Sequence, residues 1–256
     1  MLYYLGQILA EIAGPFRLLS SHVFLAGLGT AMGALLTWWL LPLFWTLLPK
    51  DKGREFAIDA ENSVGKPMSA GIIFIPLFSM LALLVIPFEW QFLGIISCIL
   101  VAMFVGYLDD VTPGGWSEYR LGAIDLILAL TAAIIVCGLD PFTIWLPLYR
   151  DVITVPPGLF IAGATILIWV SINATNCTDG VDGLSGSLSG MAILFLGAIL
   201  YGIVGHEPIA SYLLVPHYSQ GADWAIMAFV MVGCITGYLW HNSYPSAVMM
   251  GDSGSR

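Results

Sequence analysis

The stretch QFLGIISCILVAMFVGYLDD, Gln91 to Asp110, decides how the rest of the chain is read. From Gln91 to Leu108 it holds no charged residue, and it then closes on two adjacent carboxylates, Asp109 and Asp110. A run of about 18 apolar residues is long enough to cross the hydrocarbon layer of a bilayer as a helix. The composition says the same of the whole chain. Of 256 residues, 59% are hydrophobic and 10% are charged, and the mean hydropathy is +0.90. Soluble domains carry about 25% charged residues to cover their surface. Lipid admits only helices and closed barrels, and these runs are too long and continuous for alternating barrel strands. The reading is an all-α, polytopic transmembrane bundle forming one membrane-embedded domain over 1–256.

Working outward, apolar runs fall at 22–48, 71–87, 91–108, 121–138, 157–172, 187–204 and 223–240, separated by Pro, Gly or charged residues. That predicts about seven spans. Residues 1–20 are apolar but contain Glu11 and Pro15 and lack a basic leader, so they read as an interfacial helix. The connection at 139–156 reads equally as a short hairpin or a loop. Orientation follows from Lys and Arg, which gather on the cytoplasmic side of short loops. Connections after odd-numbered spans hold Lys50, Lys52, Arg54, Lys66, Arg120 and Arg256, whereas the other side holds Arg17 and Arg150. The odd connections are therefore expected in the cytoplasm.

Net charge is −9, and nothing in its placement suggests nucleic-acid binding. Cys98, Cys137, Cys177 and Cys234 show neither CxxC nor Cys/His ligand spacing, which argues against a disulfide framework or a zinc site. The tryptophans at 90, 116, 145, 224 and 240 fit an interfacial aromatic belt.

Three polar clusters remain, each after an odd-numbered span. Asp109 and Asp110 come first: adjacent carboxylates at a membrane boundary are costly unless a cation or partner stabilises them. Magnesium takes oxygen ligands, usually one or two carboxylates together with substrate phosphates. The second cluster is NATNCTDGVDGLSG, 173–186, between spans five and six, where Asn173, Asn176, Asp179 and Asp182 recur every three residues. That spacing keeps neighbouring amides and carboxylates close enough to line one wall of a cavity. The third is HNSYPSAVMMGDSGSR, 241–256, with Asp252 set among glycines and serines and Asn242 at the end of span seven. Lys66 suits either a pyrophosphate or ordinary membrane topology. Asp125, inside span four, is a functional or helix-pairing candidate.

Taken together, Asp-Asp after span three, Asn-x-x-Asn-x-x-Asp-Gly-x-Asp-Gly-Leu after span five and Met-Gly-Asp-Ser-Gly-Ser after span seven resemble the polyprenyl-phosphate N-acetylhexosamine-1-phosphate transferase superfamily. Within it, Thr178 before Asp-Gly and the short His-Asn-x-x-Pro connection are most similar to the branch that transfers phospho-N-acetylmuramoyl-pentapeptide. The resemblance implies a reaction of UDP-N-acetylmuramoyl-pentapeptide with undecaprenyl phosphate, giving the first lipid-linked peptidoglycan intermediate and UMP. It implies Mg2+ as cofactor, a bacterial inner-membrane location with the site facing the cytoplasm, and a place in cell-wall synthesis. A homodimer is compatible with it. Asp109, Asp110 and Asp252 are then the catalytic and metal-holding candidates. Asn173, Asn176, Asp179, Asp182, Asn242 and Lys66 are the substrate-binding ones.

The chain departs from that pattern twice. Gly65-Lys66-Pro67-Met68-Ser69-Ala70-Gly71 stands where the superfamily reads Gly-Thr-Pro-Thr-Met-Gly-Gly, and Ser63 stands near an expected lysine. Ten spans and a histidine-rich cytoplasmic loop are also implied, so the sequence reads as C-terminally truncated after Arg256. Two other functions compete. Transfer of N-acetylglucosamine 1-phosphate differs only in the sugar, whereas a transporter predicts polar groups at the bilayer midplane, not at span ends on one side.

Overall fold

The computed structural model describes residues 1–51, 64–139, 141–146 and 153–256. Lys52, Arg54, Ser63 and Arg150 lie outside the described residues. Among the described residues, ten α-helices and one small hairpin follow in chain order: α1 (Leu2–Leu9), α2 (His22–Phe44), α3 (Gly71–Val85), α4 (Trp90–Val111), α5 (Glu118–Cys137), β1 (Phe142–Ile144), β2 (Ile153–Val155), α6 (Pro157–Thr178), α7 (Leu184–Ile199), α8 (Glu207–Tyr212), α9 (Gly221–Asn242) and α10 (Asp252–Ser255). Six helical stretches among them are long and apolar enough to cross a membrane. The protein is thus an all-α polytopic membrane protein.

Helix ends follow local chemistry. Pro156 and Pro157 open α6, where a missing N–H costs nothing. The Ser117 hydroxyl accepts the Arg120 N–H at the start of α5, and Gly138, at φ 61°, closes that helix in the left-handed region. Two segments differ from the sequence reading. Residues 1–20 do not form one helix: α1 ends at Leu9, and a separate 3-10 element over Gly14–Ser20 opens with Pro15 in its first turn. The second span, α3, has only 15 residues, about 22 Å of helix, and falls short of a full crossing. The open connection resolves into a hairpin, with β1 and β2 antiparallel and Thr143 opposite Thr154.

The bundle is organised around α2 and α9. Apolar side chains give helices no preference for each other over lipid, so close backbone approach must supply the attraction. Gly29 and Gly33 on α2 face Val230 and Cys234, while a Cβ on Gly233 or Gly237 of α9 would collide with the carbonyl oxygens of Thr30 and Ala34. The Thr30 hydroxyl donates across this seam to the Phe229 carbonyl at 3.0 Å. Phe74, Phe78, Leu81 and Val85 of α3 pack with Ile226, Val230 and Tyr238 of α9 in the same buried cluster.

Successive long segments alternate in direction. One end of the bundle therefore gathers the C-termini of α2, α4, α6 and α9 with the N-termini of α3, α5 and α7. At the other end His22 meets Asp223, Gln220 donates to Glu89, and Gln91 donates to the carbonyls of Ile135 and Val136. The three polar clusters all lie at the first end.

Candidate active site

The segment after α9 enters the site by folding back against the starts of α3 and the end of α4. Met249 donates to the Pro67 carbonyl at 2.8 Å and Ala70 donates to the Met249 carbonyl at 3.2 Å. This approach requires small residues. A Cβ on Gly106 would collide with the Asp252 carbonyl, one on Gly71 would collide with the Ser253 backbone, and one on Gly251 would sit 2.6 Å from Asp110 Oδ2. Gly251 also has φ 68°, a conformation side chains disfavour.

The two adjacent carboxylates play different parts. Consecutive helical residues point about 100° apart, and here they meet different partners. Asp110 Oδ1 accepts the Asp252 N–H at 3.1 Å, and its Oδ2 accepts the Ser253 N–H at 3.2 Å and the Ser69 hydroxyl at 2.6 Å. Asp110 is thus an anchor for the segment carrying Asp252. Asp109 accepts the Trp116 N–H from the turn that follows α4, and its carboxylate lies against that of Asp252. Trp116 is itself covered by the Arg120 guanidinium, 3.7 Å above its ring.

Arg256 is the cation of this group. Its Nε donates to Asp252 Oδ2 at 2.8 Å and its Nη1 to Asp125 Oδ2 at 2.5 Å, while Nη2 reaches Asn176 Oδ1 at 3.5 Å. Burial works against its charge, but Asp252 and Asp125 outweigh burial and raise its pKa above the ordinary guanidinium value. Asn176 Nδ2 donates to the Ser255 hydroxyl at 3.0 Å, tying α6 to α10.

A second polar group forms the neighbouring wall. Asp182 accepts the Ser246 hydroxyl at 2.6 Å and the Ser246 N–H at 3.0 Å. Lys66 donates to the same hydroxyl at 3.0 Å and lies 3.7 Å from Asp182. Partial burial pushes the Asp182 pKa up, but the Ser246 donors and Lys66 more than offset it and leave it below the usual Asp value. Asn242, buried, accepts the Gly183 N–H and donates to the Val248 carbonyl, each at 2.9 Å.

The candidates therefore divide. Asp109, Asp110, Asp252 and Asn176 come together, as do Lys66, Asp182 and Asn242. Asp179 is buried at the end of α6. Asn173 turns its amide back to the Trp169 carbonyl of its own helix. The expectation that Asn173, Asn176, Asp179 and Asp182 line one wall between spans is corrected on this point. Helix α6 runs on to Thr178, so the two asparagines are helical, whereas the chain has already turned at Gly180 before Asp182. Ser69 and Ser246, which the sequence did not single out, each bond a candidate carboxylate. Ser69 holds a positive φ of 73° while fully buried, a strained conformation kept by its surroundings.

Among the described residues no three His, Cys, Asp or Glu side chains converge to hold a metal ion unaided. Asp110 is occupied by three protein donors, whereas Asp109 accepts the Trp116 N–H and Asp252 accepts Arg256 Nε, each at one oxygen. Two neighbouring carboxylates, each engaged at one oxygen, fit the donor set that Mg2+ takes together with substrate phosphates.

A family model described as glycosyl transferase family 4 matches residues 92–256, from α4 through Asp252. The chain belongs to glycosyl transferase family 4. A phospho-N-acetylmuramoyl-pentapeptide-transferase of Treponema pallidum (strain Nichols) is 44% identical over 246 residues, covering 95% of this chain and 68% of that protein. Proteins of the same name from Helicobacter pylori (strain J99) and Campylobacter hominis are 30% and 28% identical, covering 91% and 100% of this chain and 69% and 75% of those proteins. This family 4 member is accordingly an enzyme, a phospho-sugar transferase. Its paired carboxylates at the end of a membrane bundle are the part of the structure suited to that chemistry.

Proposed function

We propose that the chain transfers phospho-N-acetylmuramoyl-pentapeptide from its UDP-sugar to undecaprenyl phosphate, releasing UMP, in a Mg2+-dependent reaction at the cytoplasmic face of a bacterial inner membrane. The observation that carries this reading is the meeting of Asp109 and Asp252 at the end of the bundle where every polar cluster gathers. The names of the relatives support the transferred group, phospho-N-acetylmuramoyl-pentapeptide. Orientation is supported by Lys50, Lys66, Arg120 and Arg256 at that end, against Arg17 among the described residues at the other.

In this reading Asp109 and Asp252 would hold Mg2+, which would supply positive charge to offset that of the phosphates. Asp110 keeps Asp252 in place by holding the amides of Asp252 and Ser253. A lipid phosphate oxygen attacks the phosphorus bearing the sugar, and the bond to the UMP oxygen breaks. The second pKa of a phosphomonoester is about 6, so the acceptor is largely dianionic at neutral pH and Asp109 need not act as a base. Lys66, Asp182, Ser246 and Asn242 form a braced wall beside the carboxylates, and this wall with Asn176 takes the nucleotide. Direct transfer needs no covalent enzyme intermediate, and exchange of labelled UMP into the UDP-sugar without acceptor would point instead to a phosphorylated aspartate.

The test is UMP release by the full chain in membranes with Mg2+, undecaprenyl phosphate and either UDP-N-acetylmuramoyl-pentapeptide or UDP-N-acetylglucosamine. Release with the first sugar alone is expected. Release only with the second would move the assignment to N-acetylglucosamine-1-phosphate transfer, and release with neither would sink both.

A further inference from the structure

Asp125 has no part in the reaction just described, yet it is 1% exposed inside α5, within a membrane-spanning segment. A carboxylate in that position is costly unless it is paired. Its partner is Arg256, and Arg256 also holds Asp252, so a single guanidinium joins a buried carboxylate in the wall of the bundle to a carboxylate of the site.

The geometry of the fork matters. Arg256 presents Nε to one oxygen of Asp252 and spends Nη1 on Asp125. A guanidinium meeting a single carboxylate tends to take both oxygens through two parallel N–H bonds. Here Nη1 is drawn off to Asp125, and the bond that Arg256 makes to Asp252 is to Oδ2. The arm is nearly enclosed, with the Arg256 side chain 8% exposed, and the Nη2 edge is turned toward Asn176. With its donor edges directed at protein acceptors, Arg256 is built to hold the site and not to grasp a substrate from solvent.

We infer that Asp125 is a positioning residue: by anchoring Arg256 it keeps the guanidinium from capturing Asp252 bidentately and so leaves one Asp252 oxygen open to a divalent cation. The inference rests on the reading that Asp252 helps to hold that cation. It also accounts for a like-charged crowd. Asp109, Asp125 and Asp252 lie around one Arg256, and the Asp125 charge offsets the guanidinium, so the arginine does not make the site too positive for a cation to enter. Removing the Asp125 charge has two consequences of the same sign. Arg256 loses its competing partner and turns wholly to Asp252, and the local charge becomes more positive by one.

The prediction is an epistatic pattern in metal binding. Mn2+ serves as the probe, since the bound ion loses the sharp electron paramagnetic resonance signal of the free ion. The full chain is held in phosphatidylcholine nanodiscs without substrates, with Asp252→Asn as the control for the site. Asp125→Asn, an isosteric change, should weaken Mn2+ binding about tenfold or more. Adding Arg256→Gln to it should restore binding to within about threefold of wild type, because Asp125 acts only through Arg256. A purely structural ion pair predicts the opposite, with the double variant no better than the single one. Wild-type-like binding by Asp125→Asn, or failure of the second substitution to restore it, overturns the inference. If Asp125→Asn does not fold, Arg256→Lys is the alternative. A lysine cannot take both oxygens of Asp252 through parallel N–H bonds and keeps the charge, so Mn2+ binding at least as tight as wild type is expected, and weaker binding overturns the inference. Wild type that binds no Mn2+, or binds it equally well as Asp252→Asn, overturns the metal reading itself, a failure separate from that of the variants.

Discussion

The two ends of the bundle handle polar groups in different ways. At the end away from the site polar groups are matched in small sets: His22 with Asp223 at 3.1 Å, Gln220 with Glu89 at 2.6 Å, and Gln91 with two carbonyls. These contacts staple α2 to α9 and α4 to α5. At the site end, carboxylates are instead brought together. Asp109 lies against Asp252, and Asp125 shares one arginine with Asp252. Gathering like charges costs stability, and a fold does so where a cation or a charged substrate is to be met. The contrast separates residues that hold the bundle from residues that serve its chemistry.

Substituting one carboxylate at each end should show that difference most strongly. Asp252→Asn removes a charged oxygen donor from the centre, and kcat should fall about 10²- to 10³-fold, the scale on which electrostatic groups in transfer sites act. Thermal stability should change little, because relief of the repulsion from Asp109 is offset by loss of the ion pair with Arg256. Asp223→Asn should do the reverse, with UMP release unchanged and stability lower by about 0–1 kcal/mol. A comparable loss of activity in both variants would erase the distinction.

Backbone approach gives the next test. Gly106→Ala would drive a Cβ into the Asp252 carbonyl, and the Met249–Gly254 segment would have to move off α4. Misplacement by about 1 Å can cost about 10²-fold in rate, so activity should fall well before folding fails. Gly122→Ala on α5 meets no atom within 4 Å and should leave activity intact, with stability equal or better because alanine favours the helix. Equal effects from the two substitutions would show that the 249–254 segment is not held by α4.

The sequence was most informative where the signal is local. Hydropathy marks the long helices, and counting spans places Asp109, Asp182 and Asp252 at one end, because each apolar run reverses the chain. What it could not show depends on partners far apart in the chain. Asp109 and Asp110 look equivalent as a pair, yet one faces Asp252 and the other holds its backbone, a division set by helical rotation and by where the 249–254 segment docks. Ser69 and Ser246 are common residues in unremarkable positions, and only tertiary contact makes them donors to Asp110 and Asp182. Gly29, Gly33, Gly233 and Gly237 do carry a spacing of four on two apolar helices, the known signature of close helix pairing, so that signal was present. The pairing of Asp125 with Arg256 spans 131 residues and had no local mark beyond the cost of an aspartate within a span.

The smallest effect concerns Lys66, at the edge of the site, where the two kinds of contact meet. Its bonds to Ser246 and Asp182 resemble a staple, although the residues it braces belong to the site wall. Asp182 titrates below its ordinary value in the folded protein, so it binds protons more weakly folded than unfolded. Its bonds therefore add stability above the unfolded pKa of about 3.9, and that contribution is lost as pH falls through the lower, folded value. Lys66→Met removes one source of the depression. At pH 7 the variant should be less stable than wild type by about 0.2–1 kcal/mol, and the two melting curves should converge as pH is lowered below about 4. A gap that persists at low pH would mean that Lys66 stabilises through packing of its alkyl chain and not through the Asp182 charge. Activity at neutral pH gives the complementary reading. A change in KM for the UDP-sugar with kcat held would put Lys66 on the nucleotide side of the wall, whereas unchanged kinetics beside the stability loss would group it with His22 and Asp223 as a staple that happens to stand at the active end.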